Sequence, residues 1–299
     1  MDSARQCRQI AELVLLVIRK KVGGRFVYSL LLVIIYLAFI SLGLPDSLLG
    51  SGWPVMHGEL GVPISYAGII SMIIAGGTIV SSLLSDKLTR RLKAGLVTAI
   101  SVLMTAVALW GFSVSRSFIQ LCLWAIPYGL GAGAVDAALN NYVALHYAAR
   151  HMSWLHCFWG VGVSISPYIM GSALTRGLSW HHGYRTVSLI QFALTAMLFA
   201  SLPLWKKQES DPQNESVKAA ELTLREAVNI RGVKYILVAF LGYCAFETTA
   251  GLWASSYLVE FRGVDPETAA RFASLFYLGI TFGRFLNGFI ADKAGDRRL

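Results

Sequence analysis

Three carboxylates lie inside stretches that are otherwise apolar: Asp46 in GLPDSLLGSGWPVM, Asp136 in YGLGAGAVDAALNNY and Glu247 in YCAFETTAGLWASSY. An ionised side chain near the centre of a bilayer costs about 2.5–3.5 kcal/mol even on insertion scales, so an acid kept there must face a cavity or a partner. Each of the three is a candidate proton or solute site. Asp136 and Asn140 stand at i and i+4 on one helical face, and Asn141 is displaced from them by about 100°. A carboxylate that exchanges a proton, beside amides that donate and accept, suits a hydroxylated solute. Gly129, Gly133 and Ala137 form a separate ridge of small residues that allows close helix contact. The plainer alternative for Asp136 is a structural hydrogen bond to a neighbouring helix.

Asp46 follows Pro45 and precedes Gly50, Gly52 and Pro54, which predicts a bend or break that exposes backbone groups to a ligand. Asp46, Gly50 and Trp53 share a face if the helix continues, and the competing role for Asp46 is to cap a turn at the interface. Glu247 has Thr248, Gly251 and Trp253 nearby and Tyr243 one turn earlier: an acid with hydroxyls and with aromatics that stack on a sugar ring. In SWLHCFWGVGVSISPY, His156 titrates near physiological pH and is a candidate relay; a histidine bonded within the bundle is the preferred, plainer reading. Arg284 is the sole basic residue within an apolar run. It either pairs with an acid or, as preferred here, snorkels toward the membrane surface. His181 and His182, in a turn beside Trp180, mark an interface rather than a metal site.

The elements that position these groups follow from composition. Hydrophobic residues make up 55% of the 299 and charged residues 14%, which is the balance of a polytopic membrane protein. Apolar runs predict eight spanning helices, at 26–48, 64–85, 95–113, 117–145, 152–174, 185–205, 233–258 and 269–291. Helices are required because backbone groups in lipid must be satisfied within the segment. Lys and Arg collect in the leader, in 86–94, at Arg150, in 206–234 and in the tail, whereas the alternate turns hold only Arg116, Arg176, Arg185, Arg262 and Arg271. By the positive-inside rule both termini are cytoplasmic. The net charge of +9 is accounted for by that topology and by contact of the basic leader with anionic lipid, without nucleic acid. Cys7, Cys122, Cys157 and Cys244 show no C-x-x-C spacing, so neither a metal site nor a disulfide framework is expected.

A cassette occurs twice, as Gly77-TIVSSLLSDKLTRR and Gly283-RFLNGFIADKAGDRR. The likeness extends to Tyr36-LAF with Tyr243-CAF and to Gly61-Val62 with Gly263-Val264. These anchors make the seventh and eighth spans counterparts of the first and second. The polar stretch 206–230, ending in a possible amphipathic surface helix, separates them. The expected organisation is therefore an N-terminal six-helix bundle (1–205), a cytoplasmic linker (206–231) and a partial second bundle (232–299). An aspartate at a helix end beside basic residues can accept from the start of a neighbouring helix while the cations hold the inner surface. This makes Asp86, Lys87, Arg90 and Arg91, with Gly288, Asp292, Lys293, Gly295, Arg297 and Arg298, a candidate conformational latch. Two ordinary positive-inside loops are the alternative.

Six spans, a linker and G-x-x-x-D-[RK]-x-G-x-[RK]-[RK] after the second span of each half resemble the major facilitator superfamily of secondary transporters. The second copy fits well, while the first has Ser82 and Thr89 where the pattern has glycines. The opening GLPDSLLGSGWPVM, with acids in spans one and four, is similar to the fucose-permease-like, proton-coupled sugar transporters. The resemblance implies an all-α membrane bundle in which spans one, four and seven surround a central cavity. It further implies alternating access, with Asp136, Asp46 and Glu247 in proton coupling and Asn140, Asn141, Trp53, Tyr243, Trp253 and His156 contacting a sugar-like solute. GVGVSISPYIMG does not decide symport against antiport. Partners are then a small solute, protons and the lipid bilayer of the cell membrane, with no cofactor. The superfamily pattern has twelve spans, so the chain is expected to be C-terminally truncated. A non-transporting membrane scaffold, a regulatory partner or a gene fragment is the alternative. No H-E-x-x-H, G-x-S-x-G or phosphate-cradling loop supports an enzyme or an ATP-driven pump, and GLGAGA lacks the preceding strand a nucleotide loop needs.

Overall fold

The structure of the chain, a computed structural model, describes residues 28–209 and 224–294. Among these residues it is helical throughout, with no strand: α1 (28–46), α2 (Leu48–Glu59), α3 (Tyr66–Leu92), α4 (Ala94–Val114), α5 (Phe118–His146), α6 (Ala149–Thr175), α7 (Trp180–Glu209), the short α8 (Leu224–Asn229), α9 (Val233–Arg262) and α10 (Pro266–Ala294). Among the described residues, seven spans are long and apolar enough to cross a membrane: α1 with α2 taken together, α3 to α7, and α9. The eighth expected span falls within α10, a helix of 29 residues that is not among those seven. The protein is a multi-pass helical membrane bundle.

The break expected after Pro45 falls at Ser47, between α1 and α2. Proline has no amide hydrogen and its ring opposes the carbonyl one turn earlier, so the ladder weakens there. The carbonyl left without its amide, that of Ser41, accepts from Gln191 Nε2, and hydroxyls fasten the bend. Ser166 donates to the Leu44 carbonyl, Ser51 to the Ser47 carbonyl at 2.8 Å, and Ser47 to the Val163 carbonyl at 2.7 Å. Asp46 is thereby held at a bend fastened to α6.

Several helix boundaries differ from expectation, and each difference has a local cause. α3 continues to Leu92, so Asp86, Lys87, Arg90 and Arg91 occupy its last turns rather than a loop. Asp86 pairs with Arg90 on its own helix at 2.7 Å, both side chains being exposed. Gly288, Asp292 and Lys293 are likewise helical, within α10; Gly295, Arg297 and Arg298 lie outside the described residues. α7 begins at Trp180, so His181 and His182 stand in its first turn. His181 stacks on Trp180 with ring centroids 3.6 Å apart and its Nε2 lies 2.9 Å from the Ser115 carbonyl. α9 ends at Gly263, whose φ of 65° permits the amide of Val264 to reach back to the Leu258 carbonyl at 3.0 Å, a closure that favours glycine. Asp265 then caps α10 by accepting from the Thr268 amide at 2.9 Å. That bond and those beside it hold the Asp265 carboxyl below its ordinary range.

Helices pair as α3 on α5, α4 on α5 and α7, α6 on α10, and α2 on α9. The two larger apolar clusters among the described residues lie around Leu31, Ile35, Phe39 and Leu139 and around Trp53, Met56, Ile70 and Phe112. The small-residue ridge of α5 does what its spacing predicts: a methyl group at Gly129 would meet the Ile74 carbonyl, and one at Gly133 the Thr78 carbonyl. Gly133→Val is expected to destabilise the bundle by about 1–3 kcal/mol through overpacking, read as a lower unfolding midpoint in detergent. An unchanged midpoint would show that α3 and α5 can part there.

Candidate functional site

A cavity of about 670 Å³ lies between the α1–α7 bundle and the α9–α10 pair, and all three in-span acids line it. Asp46 opens onto it from the α1 bend, with both oxygens engaged. Tyr128 Oη donates to Oδ1 at 2.7 Å, and Trp159 Nε1 donates to Oδ2 at 2.8 Å. Asp136 presents its carboxylate one helix away, and Asn140 Nδ2 donates to its Oδ1 at 2.8 Å across one turn of α5. The i, i+4 pairing read from spacing is thus a hydrogen bond.

Glu247 faces these acids from α9. Its Oε2 lies 3.4 Å from Arg284 of α10, while its Oε1 is buried with no hydrogen-bond partner among the described residues. Arg284 also donates to Tyr243 Oη at 2.5 Å and lies over the Trp159 ring, 4.8 Å from its centroid. This corrects the snorkelling preference. A guanidinium facing a cavity gains a carboxylate, a hydroxyl and an aromatic face, which together outweigh an extended path to the surface. His156 lines the same cavity and meets Phe39 edge-on, with ring centroids 5.6 Å apart.

Four sequence candidates do not line the cavity. Trp53 is fully buried in the apolar core, where its Nε1 donates to the Ile64 carbonyl at 2.6 Å; it stands two turns beyond Asp46, past Leu49, the last residue of this segment that lines the cavity. Trp253 packs against that same cluster. Asn140 acts through Asp136, and Asn141 is exposed elsewhere on α5. Conversely, Tyr128, Trp159 and Tyr277 reach the cavity without having been singled out as contacts. Tyr128, Ala132 and Asp136 do stand at i, i+4 and i+8, so periodicity from Asp136 would have found the first. Trp159 and Tyr277 carry no such signal, because their roles depend on how α6 meets α10.

The Major Facilitator Superfamily model matches residues 35–299. The chain belongs to the major facilitator superfamily. Membership sets it among transporters rather than enzymes. Similar superfamily proteins include the cis,cis-muconate transport protein of Acinetobacter baylyi, 24% identical across 93% of this chain and 70% of that protein. The hexuronate transporter of Bacillus subtilis is 20% identical over 88% of this chain and 65% of its own length. The nitrite extrusion protein of the same organism is 22% identical over 78% and 58%. The chain thus spans between roughly half and seven-tenths of the length of these relatives.

Proposed function

We propose that the protein moves a small carboxylate-bearing solute, a sugar acid or dicarboxylate, across the cell membrane by alternating access coupled to protons. One observation carries this reading: Asp46, Asp136, Glu247 and Arg284, from four helices on both sides of the cavity, face one space of about 670 Å³. That volume suits a small metabolite. Arg284 offers the planar fork that pairs with a carboxylate. The relatives' names favour the same class, since muconate, hexuronate and nitrite are all anions. A neutral sugar would use the hydroxyl and amide lining but leave Arg284 to Glu247.

In this reading residues 1–205 and 232–299 belong to two units that rock about the cavity, with 206–231 and both termini on the cytoplasmic side. Protonation of Asp136, with Asp46 or Glu247, neutralises a charge worth about 2.5–3.5 kcal/mol at mid-membrane and so biases which face opens. Asp136 is the better placed for exchange, because one of its oxygens accepts from Asn140 and the group borders the cavity. Solute-driven proton uptake in proteoliposomes tests this. The parent is expected to take up protons with glucuronate or cis,cis-muconate, and Asp136→Asn to fall to the protein-free background. An Asp136→Asn variant that couples protons as well as the parent would sink the assignment.

A further inference from the structure

Trp159 touches both charged sides of the cavity. Its indole N–H donates along the ring edge to Asp46 Oδ2 at 2.8 Å, and its ring face carries the Arg284 guanidinium with Cζ 4.8 Å from the centroid. Tyr277 braces the ring in an edge contact, with centroids 6.3 Å apart. One rigid side chain on α6 therefore joins an acid on α1 to a cation on α10.

The two contacts are not independent. An N–H that donates to an ionised carboxylate forms a charge-assisted bond and leaves more electron density on the ring, and a richer ring holds a cation more firmly on its face. When Asp46 takes a proton, its pull on the N–H falls, and with it the hold of the ring on Arg284. Direct electrostatics act with the same sign, because a neutral Asp46 no longer repels an incoming carboxylate.

We propose that Trp159 is the positioning residue that couples protonation of Asp46 to capture of a solute carboxylate by Arg284. The proposal rests on the transport reading above and adds to it the direction of coupling: proton and anion bind with positive cooperativity, as a symporter requires. By linkage each must strengthen the other by the same factor. Other groups facing this space are Tyr128 and Asp136 from α5, His156 from α6, Tyr243, Cys244 and Glu247 from α9 and Tyr277 from α10, so the test must isolate the Asp46 path.

The test is binding of glucuronate and cis,cis-muconate to the full chain in lipid nanodiscs at about pH 5.5 and 7.5, where both probes stay ionised. The parent is expected to bind at least one probe about tenfold more tightly at the lower pH, within the ~5–150-fold range of inter-site coupling. Trp159→Phe keeps a ring face and loses the N–H; its ratio is expected to shrink to about twofold, as is that of Asp46→Asn. Trp159→Leu loses both surfaces and should weaken binding at both pH values. A Trp159→Phe variant with the parental ratio overturns the proposal and leaves the transport reading standing. A parent whose affinity ignores pH overturns proton coupling itself, and binding of neither probe overturns the carboxylate solute; the proposal falls with either. A second readout needs no change at Trp159. Acidification without solute is expected to alter tryptophan emission in the parent and not in Asp46→Asn, and identical responses in the two would equally overturn the coupling.

Discussion

Arg284→Gln, combined with Glu247→Gln, is expected to reduce the affinity for glucuronate or cis,cis-muconate by at least about 30-fold. Truncating one partner of a hydrogen-bonded charge pair removes about 2–5 kcal/mol, and the lower figure already corresponds to that factor. The double substitution is the informative one. Arg284→Gln alone strands Glu247, whose Oε1 has no hydrogen-bond partner among the described residues, and a buried charge stripped of its partner destabilises by about 3–5 kcal/mol. A loss of binding in the single variant would then mix solute recognition with folding. Replacing both members with amides removes the two charges together, so that no buried charge is left without its partner. Arg284→Lys should fall between the extremes, because an ammonium keeps the charge but lacks the fork and the flat face that rests on Trp159. Isothermal titration of the purified chain in nanodiscs measures all three. A doubly substituted protein that binds glucuronate like the parent would remove Arg284 from the site.

Gly50→Val is expected to slow solute exchange across proteoliposome membranes by roughly 5–150-fold while leaving the affinity within about threefold. α2 and α9 meet there backbone to backbone: a methyl group at Gly50 would press on the Gly251 carbonyl, and one at Gly251 on the Tyr277 hydroxyl. Neither carbonyl nor helix axis can step aside as a flexible side-chain tip does, so overpacking by about 1–3 kcal/mol falls on the arrangement in which these helices touch. If that arrangement is one of the two access states, its population drops by the factor given, and every cycle must pass through it. The cavity-lining charges lie on other residues and keep their geometry. Uptake kinetics and equilibrium binding on one preparation separate the two effects. Unchanged exchange in Gly50→Val would mean that α2 and α9 do not need to close.

Much of the site was legible along the chain because a bilayer makes polar residues conspicuous. Asp46, Asp136 and Glu247 stood out against apolar neighbours, and all three line one cavity. Asn140 was read correctly as the neighbour of Asp136, because one turn of helix is a local relation. Trp53 was misplaced for the complementary reason. Face sharing with Asp46 fixes a direction and not a depth: Leu49 still lines the cavity, whereas Trp53, two turns beyond Asp46, meets the packed core. Arg284 was misjudged because its partners, Glu247, Tyr243 and Trp159, lie on two other helices. Spacing within α10 says nothing about them.

The cassette at Asp86 shows the same division. Its sequence resembles a superfamily pattern only in part, and among the described residues Asp86 makes an exposed pair with Arg90 on the same helix. Hydropathy, charge asymmetry and internal repetition are properties of single segments, and from them alone the chain is a helical membrane protein with acids buried in its spans. Which acid meets which donor depends on helix rotation and crossing. Those are set by glycine contacts between α3 and α5, α2 and α9, and α6 and α10, and by hydroxyls that fasten the α1 bend to α6. Such contacts join residues far apart in the chain, so only the tertiary structure could bring Asp46, Trp159 and Arg284 into one line.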